Sequence, residues 1–273
     1  MTRHLAFIGG GNMASAIIGG LLRAGALQAE QITVVEPFAA QRDKLREQFG
    51  ALRLLPAADA SLSSAGLVVW AVKPQLFGEA AAACQGAVSE ALQLSVMAGI
   101  RSDTLARATG SGRVVRAMPN TPALIGQGIA GLFARPAVSA ADKAWTEQVL
   151  QPTGTTLWVD READLDAVTA LSGSGPAYFF YIVEAMITAA VDMGLTAEQG
   201  RQLALATCGG AAALGLASTE SPTMLRERVT SKGGTTYAAI SSLQADGVGE
   251  AVQRAVKAAQ VRARELGDEF GSA

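Results

Sequence analysis

The sequence is poor in the side chains on which most acid–base and metal chemistry depends. His4 is the only histidine among 273 residues, and it stands just before the first apolar run, where a structural role fits better than catalysis. A Ser-His-Asp triad, a HExxH zinc site and a histidine-based proton relay are therefore not expected. We expect no metal site, and any chemistry must come from a cofactor, hydroxyl groups, backbone groups or carboxylates.

Cysteine and net charge are also scarce. Cys84 and Cys208 are the only cysteines, and their isolation indicates buried free thiols in a reducing compartment. No basic segment precedes the short first apolar run, so we expect no signal peptide and a cytoplasmic protein. The formal net charge of −2 gives no reason to expect nucleic acid or an anionic membrane as a partner.

What the sequence does contain is a glycine-rich turn near its start, within residues 4–22 (HLAFIGGGNMASAIIGGLL). A short apolar run ends at three glycines, and from Ala14 onward the apolar residues recur with helical spacing. The spacing Gly9-x-Gly11-x-x-Ala14 between a strand and a helix is typical of a dinucleotide fingerprint. The helix N-terminus would then face the phosphates. The alternative is an ordinary glycine-rich turn.

Further apolar runs that end at turn residues predict more strands. They lie at 31–35, 67–72, 92–97, 113–118, 128–134 and 155–159. Helices alternate with these runs, which favours a doubly wound parallel sheet whose ligands bind at the carboxyl ends of the strands. Glu36 follows the second strand, where an acid accepts hydrogen bonds from an adenosine ribose and would repel the extra phosphate of NADP. The alternative is a solvated acid before Pro37.

The remainder of the chain is predicted to be helical. A long helix at 163–195 is interrupted at 172–176 by Ser-Gly-Ser-Gly-Pro. Its stretch 178–191 is apolar almost all round, which is typical of a buried helix. A membrane span is the competing interpretation, but Glu184 lies inside this stretch. We predict an N-terminal Rossmann-like domain at 1–162 and an all-helical domain at 163–273 that forms a homo-oligomer through its apolar surface.

Five motifs then suggest a family. They are FIGGGNMA (7–14), AVKPQ (71–75), MPNTPA (118–123), ALSGSGPAYFF (170–180) and VTSKGGTT (229–236). Together they resemble the pyrroline-5-carboxylate reductase family from about residue 5 to residue 266. The resemblance implies reduction of the cyclic imine 1-pyrroline-5-carboxylate to L-proline with NADPH or NADH, the last step of proline biosynthesis. It also implies dimers that interlock through their helical halves and often assemble further, for example into a decamer.

The resemblance also implies which residues form the site. Those expected at the cofactor are Ile8, Gly9, Gly10, Gly11, Asn12, Met13, Ala71, Val72, Lys73, Pro74, Met97, Ala98 and Gly99. Glu36 and Asn120, each directly beyond a predicted strand, are placed with them. The expected substrate loop consists of Ser231, Lys232, Gly233, Gly234, Thr235 and Thr236. Lys232 stands where many relatives have proline. Glu36 stands where NADPH-using relatives tend to have a small polar residue, which leaves the choice between NADH and NADPH open.

The chemistry of the substrate loop can be argued from its residues. Gly233 and Gly234 allow successive N–H groups to turn toward one point, and the helix that follows adds partial positive charge. Such a site suits a small carboxylate. Because the imine nitrogen can arrive protonated, a hydroxyl group is enough to orient it, and we predict Thr236 as the catalytic residue. The alternative is that Thr235 or Thr236 only caps the helix.

Two other functions remain open. A β-hydroxyacid dehydrogenase of similar plan places a catalytic lysine after a GxG, but the corresponding stretch here, 173–181, has no lysine. A non-catalytic dinucleotide-binding protein would have no need of the loop at 231–236.

Overall fold

The computed structural model describes residues 4–271 and shows an eight-stranded sheet followed by helices. The strands are β1 (Leu5–Ile8), β2 (Ile32–Val35), β3 (Arg53–Leu55), β4 (Leu67–Trp70), β5 (Leu92–Ser95), β6 (Val114–Met118), β7 (Gly128–Ala134) and β8 (Gly154–Trp158). The helices are α1 (Asn12–Arg23), α2 (Ala39–Phe49), α3 (Phe77–Ala83), α4 (Ser102–Thr109), α5 (Ala140–Leu150), α6 (Asp164–Val168), α7 (Gly175–Asp192), α8 (Ala197–Ala217), α9 (Pro222–Arg228), α10 (Thr235–Ala245) and α11 (Val248–Gly271). The predicted class, a Rossmann-like α/β sheet followed by a helical region, is confirmed.

The strand order is β3-β2-β1-β4-β5-β6-β7-β8. All neighbouring strands are parallel except β6 and β7, which are antiparallel. The prediction of a wholly parallel sheet is wrong at this pair. Only a short 3₁₀ turn, Thr121–Ile125, lies between the two strands. Without a crossover helix to carry the chain back, the next strand must run in the opposite direction.

The centre of the sheet is buried on both faces, as its apolar runs predict, whereas β3 and β8 contain no buried residue. Every residue of β1, β2, β4 and β5 is buried. On one face, α1 packs Ile17, Ile18 and Leu21 into the core. On the other, the indole of Trp70 contacts Phe77 edge-on and donates its N–H to the buried Gln93 at 2.8 Å. Burial on both sides is the condition under which parallel strands are stable.

Two compact units make up the chain. The sheet unit contains residues 4–174 together with 259–271, and the helical unit contains residues 175–258. Residues 163–174 belong to the sheet unit because α6 packs closely on β7. A Cβ atom built on Gly131 would lie 2.6 Å from the side chain of Val168. The domain boundary predicted after residue 162 stays a prediction.

The predicted interruption of the long helix is present. A π-helical turn, Thr169–Gly173, separates α6 from α7. Pro176 then falls in the first turn of α7, where its missing N–H costs no hydrogen bond. Turns of this kind occur frequently at functional sites.

The helical unit exposes much of its apolar surface. In α7 only Gly175, Val183 and Ala190 are buried, whereas Tyr181 is 72% exposed. The predicted all-round burial of 178–191 is therefore wrong for a single chain, because too few helices surround α7. By length and composition alone, Asp164–Asp192 is apolar enough to cross a membrane, a test that core helices of soluble proteins also pass.

Candidate active site

The glycine turn after β1 is closely packed at its first two positions. Gly9 has a φ of +96°, and its N–H donates to the carbonyl of Val35 at 2.9 Å. A Cβ atom there would lie 2.8 Å from the carbonyl oxygen of Ala71. At Gly10 a Cβ atom would lie 2.6 Å from Leu45. Gly9 therefore requires glycine, whereas a side chain at Gly10 would have to displace Leu45, and the turn is held against the sheet and α2.

Gly11, by contrast, faces open space. A Cβ atom built on it would meet nothing within 4 Å. It is the N-cap residue of α1, which has no side-chain cap and no acidic residue in its first turn. The N–H groups at a helix N-terminus lack intrahelical partners and carry partial positive charge. This surface fits a pyrophosphate, and Asn12 and Met13 lie on its helical side.

An apolar cavity of about 360 Å³ opens beside this turn. It lies where the strand order reverses between β1 and β4, the position at which doubly wound sheets bind ligands. Ile8 and Val72 line it from the strand ends, Phe38 from the segment before α2, and α3 from the far side. The apolar walls suit a flat heteroaromatic ring. Sequence reasoning missed Phe38 and α3, because no local pattern assigns them to this cavity.

Cys84 is also part of the cavity lining, and it is a buried free thiol as predicted. Burial raises the pKa of Cys84 to about 11. The thiol therefore stays protonated and forms an unreactive part of the wall.

Glu36 is only 6% exposed, so the alternative of a solvated acid is wrong. Its Oε2 accepts a hydrogen bond from the N–H of Gly10 at 2.9 Å, and its Oε1 accepts one from the N–H of Phe38 at 3.0 Å. Arg42 donates from Nη1 to the backbone carbonyls of Glu36 and Pro37, both at 2.7 Å. The carboxylate thus lies at the predicted edge of the sheet with both oxygens bonded to the backbone.

The remaining predicted cofactor segments follow β4 and β5. The N–H of Ala71 donates to the carbonyl of Ile8 at 2.8 Å, while Lys73 is exposed and precedes a 3₁₀ turn that starts at Pro74. Met97 is buried and Ala98 exposed. A Cβ atom on Gly99 would lie 2.8 Å from the ring of Phe270.

Asn120 connects three segments of the sheet unit. Its amide nitrogen donates to the carbonyl of Ser172 at 3.2 Å, and its amide oxygen accepts from the N–H of Ile129 at 3.0 Å. These bonds tie the end of β6 to β7 and to the π-helical turn. Both ends of the amide have structural partners, and its contact with a cofactor stays a prediction.

The predicted substrate loop lies in the helical unit and leads into α10. Gly233 has a φ of +75°, and the N–H of Gly234 donates to the carbonyl of Ser231 at 3.0 Å. Gly234 is the N-cap residue, and no side chain caps the helix. Thr235 and Thr236 are therefore its first two residues, and the alternative that either one caps it is wrong.

The loop is open to solvent. Ser231, Lys232 and Thr235 are exposed, while Thr236 is half-buried. An uncapped helix N-terminus, a lysine and three hydroxyl groups are thus available to a small anion. Among residues 4–271, no group of three or more His, Cys, Asp or Glu side chains could hold a metal ion.

The sheet, its glycine turn and the helices that follow define a Rossmann-type protein with an added helical region. Residues 162–266 match the family model for pyrroline-5-carboxylate reductase dimerisation, and residues 4–99 match that for NADP oxidoreductase, coenzyme F420-dependent. Pyrroline-5-carboxylate reductase of Pseudomonas aeruginosa is 45% identical over 272 residues, which cover 99% of each chain. The chain belongs to the pyrroline-5-carboxylate reductase family, as its motifs predict.

Solved structures agree with this assignment. A pyrroline-5-carboxylate reductase from Coxiella burnetii superposes with a TM-score of 0.90 at 36% identity and covers 97% of this chain and 99% of its own. Plasmodium falciparum pyrroline carboxylate reductase, crystallised with NADP bound, gives a TM-score of 0.84 at 28% identity, with coverage of 97% and 98%. The comparisons do not favour the two alternative functions. The dimerisation match also supports self-association of this chain.

Proposed function

We propose that this protein reduces 1-pyrroline-5-carboxylate to L-proline with NADPH or NADH, the last step of proline biosynthesis. The observation that carries the proposal is the contrast within the glycine turn. Gly9 and Gly10 are closed off by the sheet and α2, whereas Gly11 and the uncapped start of α1 are open. Such an arrangement accepts a pyrophosphate, and the P. falciparum relative was crystallised with NADP.

The sheet unit would hold the cofactor. Residues 8–13 would form the turn at the pyrophosphate, with the open N–H groups at its helical end, and residues 71–74 and 97–99 would line the path toward the nicotinamide, with Glu36 and Asn120 in supporting positions. When bound, the nicotinamide cofactor supplies the hydride. This chain contributes position and electrostatics, which is consistent with its single histidine.

The helical unit would hold the substrate. The N–H groups of Ser231–Thr236 and the start of α10 would bind the carboxylate, with Lys232 adding positive charge. The Thr236 hydroxyl would orient the ring nitrogen. Because the imine nitrogen can arrive protonated, no side chain has to deliver a proton while the C=N carbon is reduced.

We also propose a cytoplasmic homodimer formed through residues 163–273, with further assembly of dimers, for example into a decamer. The exposed apolar residues support this proposal, since Phe179, Tyr181 and Leu216 are 63%, 72% and 90% exposed in the single chain. Extensive exposed apolar surface is typical of an interaction site. Sedimentation of the purified protein without detergent measures the assembly, and a species that stays soluble only in detergent would favour the membrane alternative.

The activity is tested by following nicotinamide absorbance on addition of 1-pyrroline-5-carboxylate, with NADH and NADPH in separate reactions. We expect oxidation of at least one cofactor and formation of proline. The matched reaction supplies NAD or NADP with β-hydroxyacids. Activity only in the second reaction would favour the hydroxyacid dehydrogenase, and binding of dinucleotide without turnover in either would favour the non-catalytic alternative.

A further inference from the structure

The carboxylate of Glu36 joins two parts of the cofactor edge that are distant in sequence. One oxygen accepts from the N–H of Gly10 and the other from the N–H of Phe38. Glu36 as a whole is only 6% exposed. A buried carboxylate with a backbone donor on each oxygen is a rigid connection, because charge-assisted hydrogen bonds are short and directional.

Both backbone groups of Gly10, its N–H and its carbonyl, are hydrogen-bonded to side chains. While its N–H donates to Glu36, its carbonyl oxygen accepts from Nε2 of Gln41 at 2.7 Å. The N–H of Gly10 is therefore engaged inside the protein and is not offered to a phosphate. The open side of the turn begins beyond it, at Gly11 and the uncapped start of α1. The conformation of the glycine turn thus depends on its hydrogen bonds to Glu36, which follows β2, and to Gln41 on α2.

Phe38 is held by the same carboxylate. Phe38 is 67% exposed and lines the 360 Å³ cavity. The two hydrogen bonds of Arg42 to the carbonyls of Glu36 and Pro37 stabilise this segment further. One side chain, Glu36, therefore sets both the glycine turn and the aromatic wall of the cavity.

We infer that Glu36 is a positioning residue, which shapes the cofactor site through Gly10 and Phe38 and does not select between NADH and NADPH by its charge. The inference rests on the proposed function. Because Glu36 is only 6% exposed and each of its oxygens already accepts from a backbone N–H, the carboxylate presents little surface to a ribose. Loss of the two hydrogen bonds from Gly10 and Phe38 to Glu36 should weaken the binding of both cofactors alike. The reason is that the glycine turn and the cavity wall contact the parts that NADH and NADPH share.

The test compares Glu36→Gln and Glu36→Asp with the parent protein. In Glu36→Gln the side-chain NH2 group faces one of the two backbone N–H groups, so that hydrogen bond is lost. In Glu36→Asp the shorter side chain cannot accept from Gly10 and Phe38 at the same time. We expect the Kd of NADH and that of NADPH to rise by about tenfold or more in each variant, with their ratio unchanged within about threefold. Glu47→Gln removes the same charge from an exposed position on α2 and should leave both values unchanged.

A shift of the Kd ratio by about tenfold toward NADPH in Glu36→Gln, with the ratio retained in Glu36→Asp, would overturn the inference and assign the charge a direct role. The affinities are measured by calorimetric titration, so they do not depend on turnover. A parent protein that binds neither cofactor would refute the proposed function itself, which separates the two failures.

Hydrogen exchange of the cofactor-free parent tests the two hydrogen bonds to Glu36 even if the variants do not fold. The amides of Gly10 and Phe38 should exchange at least about tenfold more slowly than that of Asn12, which stands at the open start of α1. If the amide of Gly10 exchanges as fast as that of Asn12, its hydrogen bond to Glu36 does not exist in solution.

Discussion

Thr236→Ala removes the one hydroxyl group to which we assign a role in the reaction. Thr236 is the second residue of α10 and half-buried, and the N-cap position belongs to Gly234. The hydroxyl therefore supports no cap that its removal could weaken. This geometry separates the effect on turnover from the effect on stability.

The expected magnitudes follow from the hydrogen bond that we assign to the Thr236 hydroxyl. A hydrogen bond to a charged partner, here the protonated imine nitrogen, contributes about 1.5–3 kcal/mol. Its loss should lower kcat/KM by roughly 10- to 150-fold. A lost cap would cost about 1 kcal/mol of stability. Since Gly234 is the N-cap and alanine has the higher helix propensity, we expect the free energy of unfolding to change by less than about 0.7 kcal/mol.

The assay follows nicotinamide absorbance over a range of 1-pyrroline-5-carboxylate concentrations at saturating cofactor. Chemical denaturation and cofactor titration of the same samples report folding and cofactor affinity. Thr236→Ser keeps a hydroxyl and should recover most of the activity. Ser241→Ala removes a hydroxyl from an exposed position on the same helix and should match the parent.

Unchanged kcat/KM in Thr236→Ala would refute the assignment of Thr236, and Ser231 would be the next candidate. A loss of turnover that parallels a loss of folded protein would instead give Thr236 a structural role. A loss of activity of the same size in Thr236→Ser would show that the methyl packing, and not the hydroxyl, is what matters.

The remaining predictions concern the cofactor turn, the assembly and an ion pair. Gly11→Ala should fold normally, because its Cβ meets no atom within 4 Å. It should nevertheless weaken NADPH and NADH by about tenfold or more in a binding titration, because the side chain blocks the pyrophosphate. Light scattering at micromolar concentration should show a dimer or larger species, and Phe180→Asp, which places a charge on the exposed apolar face of α7, should shift it toward monomer. The pKa of Asp142 is lowered: burial opposes its ionisation, but hydrogen bonds from Arg113 and Ser139 outweigh that effect. This contribution is present above the unfolded pKa of 3.8 and lost as the pH falls through the lowered folded value. Asp142→Asn should therefore cost about 1–2 kcal/mol at neutral pH, a value reduced by the 40% exposure of Arg113, and the difference measured by denaturation should shrink as the pH falls below 3.8 through the lowered folded value.

Local patterns determined the class of fold, the glycine turn and the helical second half. Buried parallel strands need apolar residues on both faces, so β1, β4 and β5 appear in the sequence as short continuous runs. The positive φ at Gly9 and the break before Pro176 are equally local, since each depends on the backbone of one or two residues. The family followed from motifs that such constraints leave in the sequence.

The three-residue strand β3 and the antiparallel direction of β7 depended on the tertiary structure. A strand as short as Arg53–Leu55 has no detectable period. The direction of β7 depends on whether a crossover helix is present, and a 3₁₀ turn replaces it here. Neither feature is encoded in the alternation of polar and apolar residues.

The roles of individual polar side chains also depended on the tertiary structure. Position at the end of β2 predicts an acid near the ribose, which stays a prediction. Only folding brings the N–H groups of Gly10 and Phe38 to Glu36 and makes it a buried acceptor. Likewise, α7 is apolar enough for a core, yet most of it is exposed in one chain. The sequence indicates that an apolar surface must be covered and that a buried carboxylate needs hydrogen-bond donors. Which group does so is decided by contacts between segments distant in sequence, or between chains.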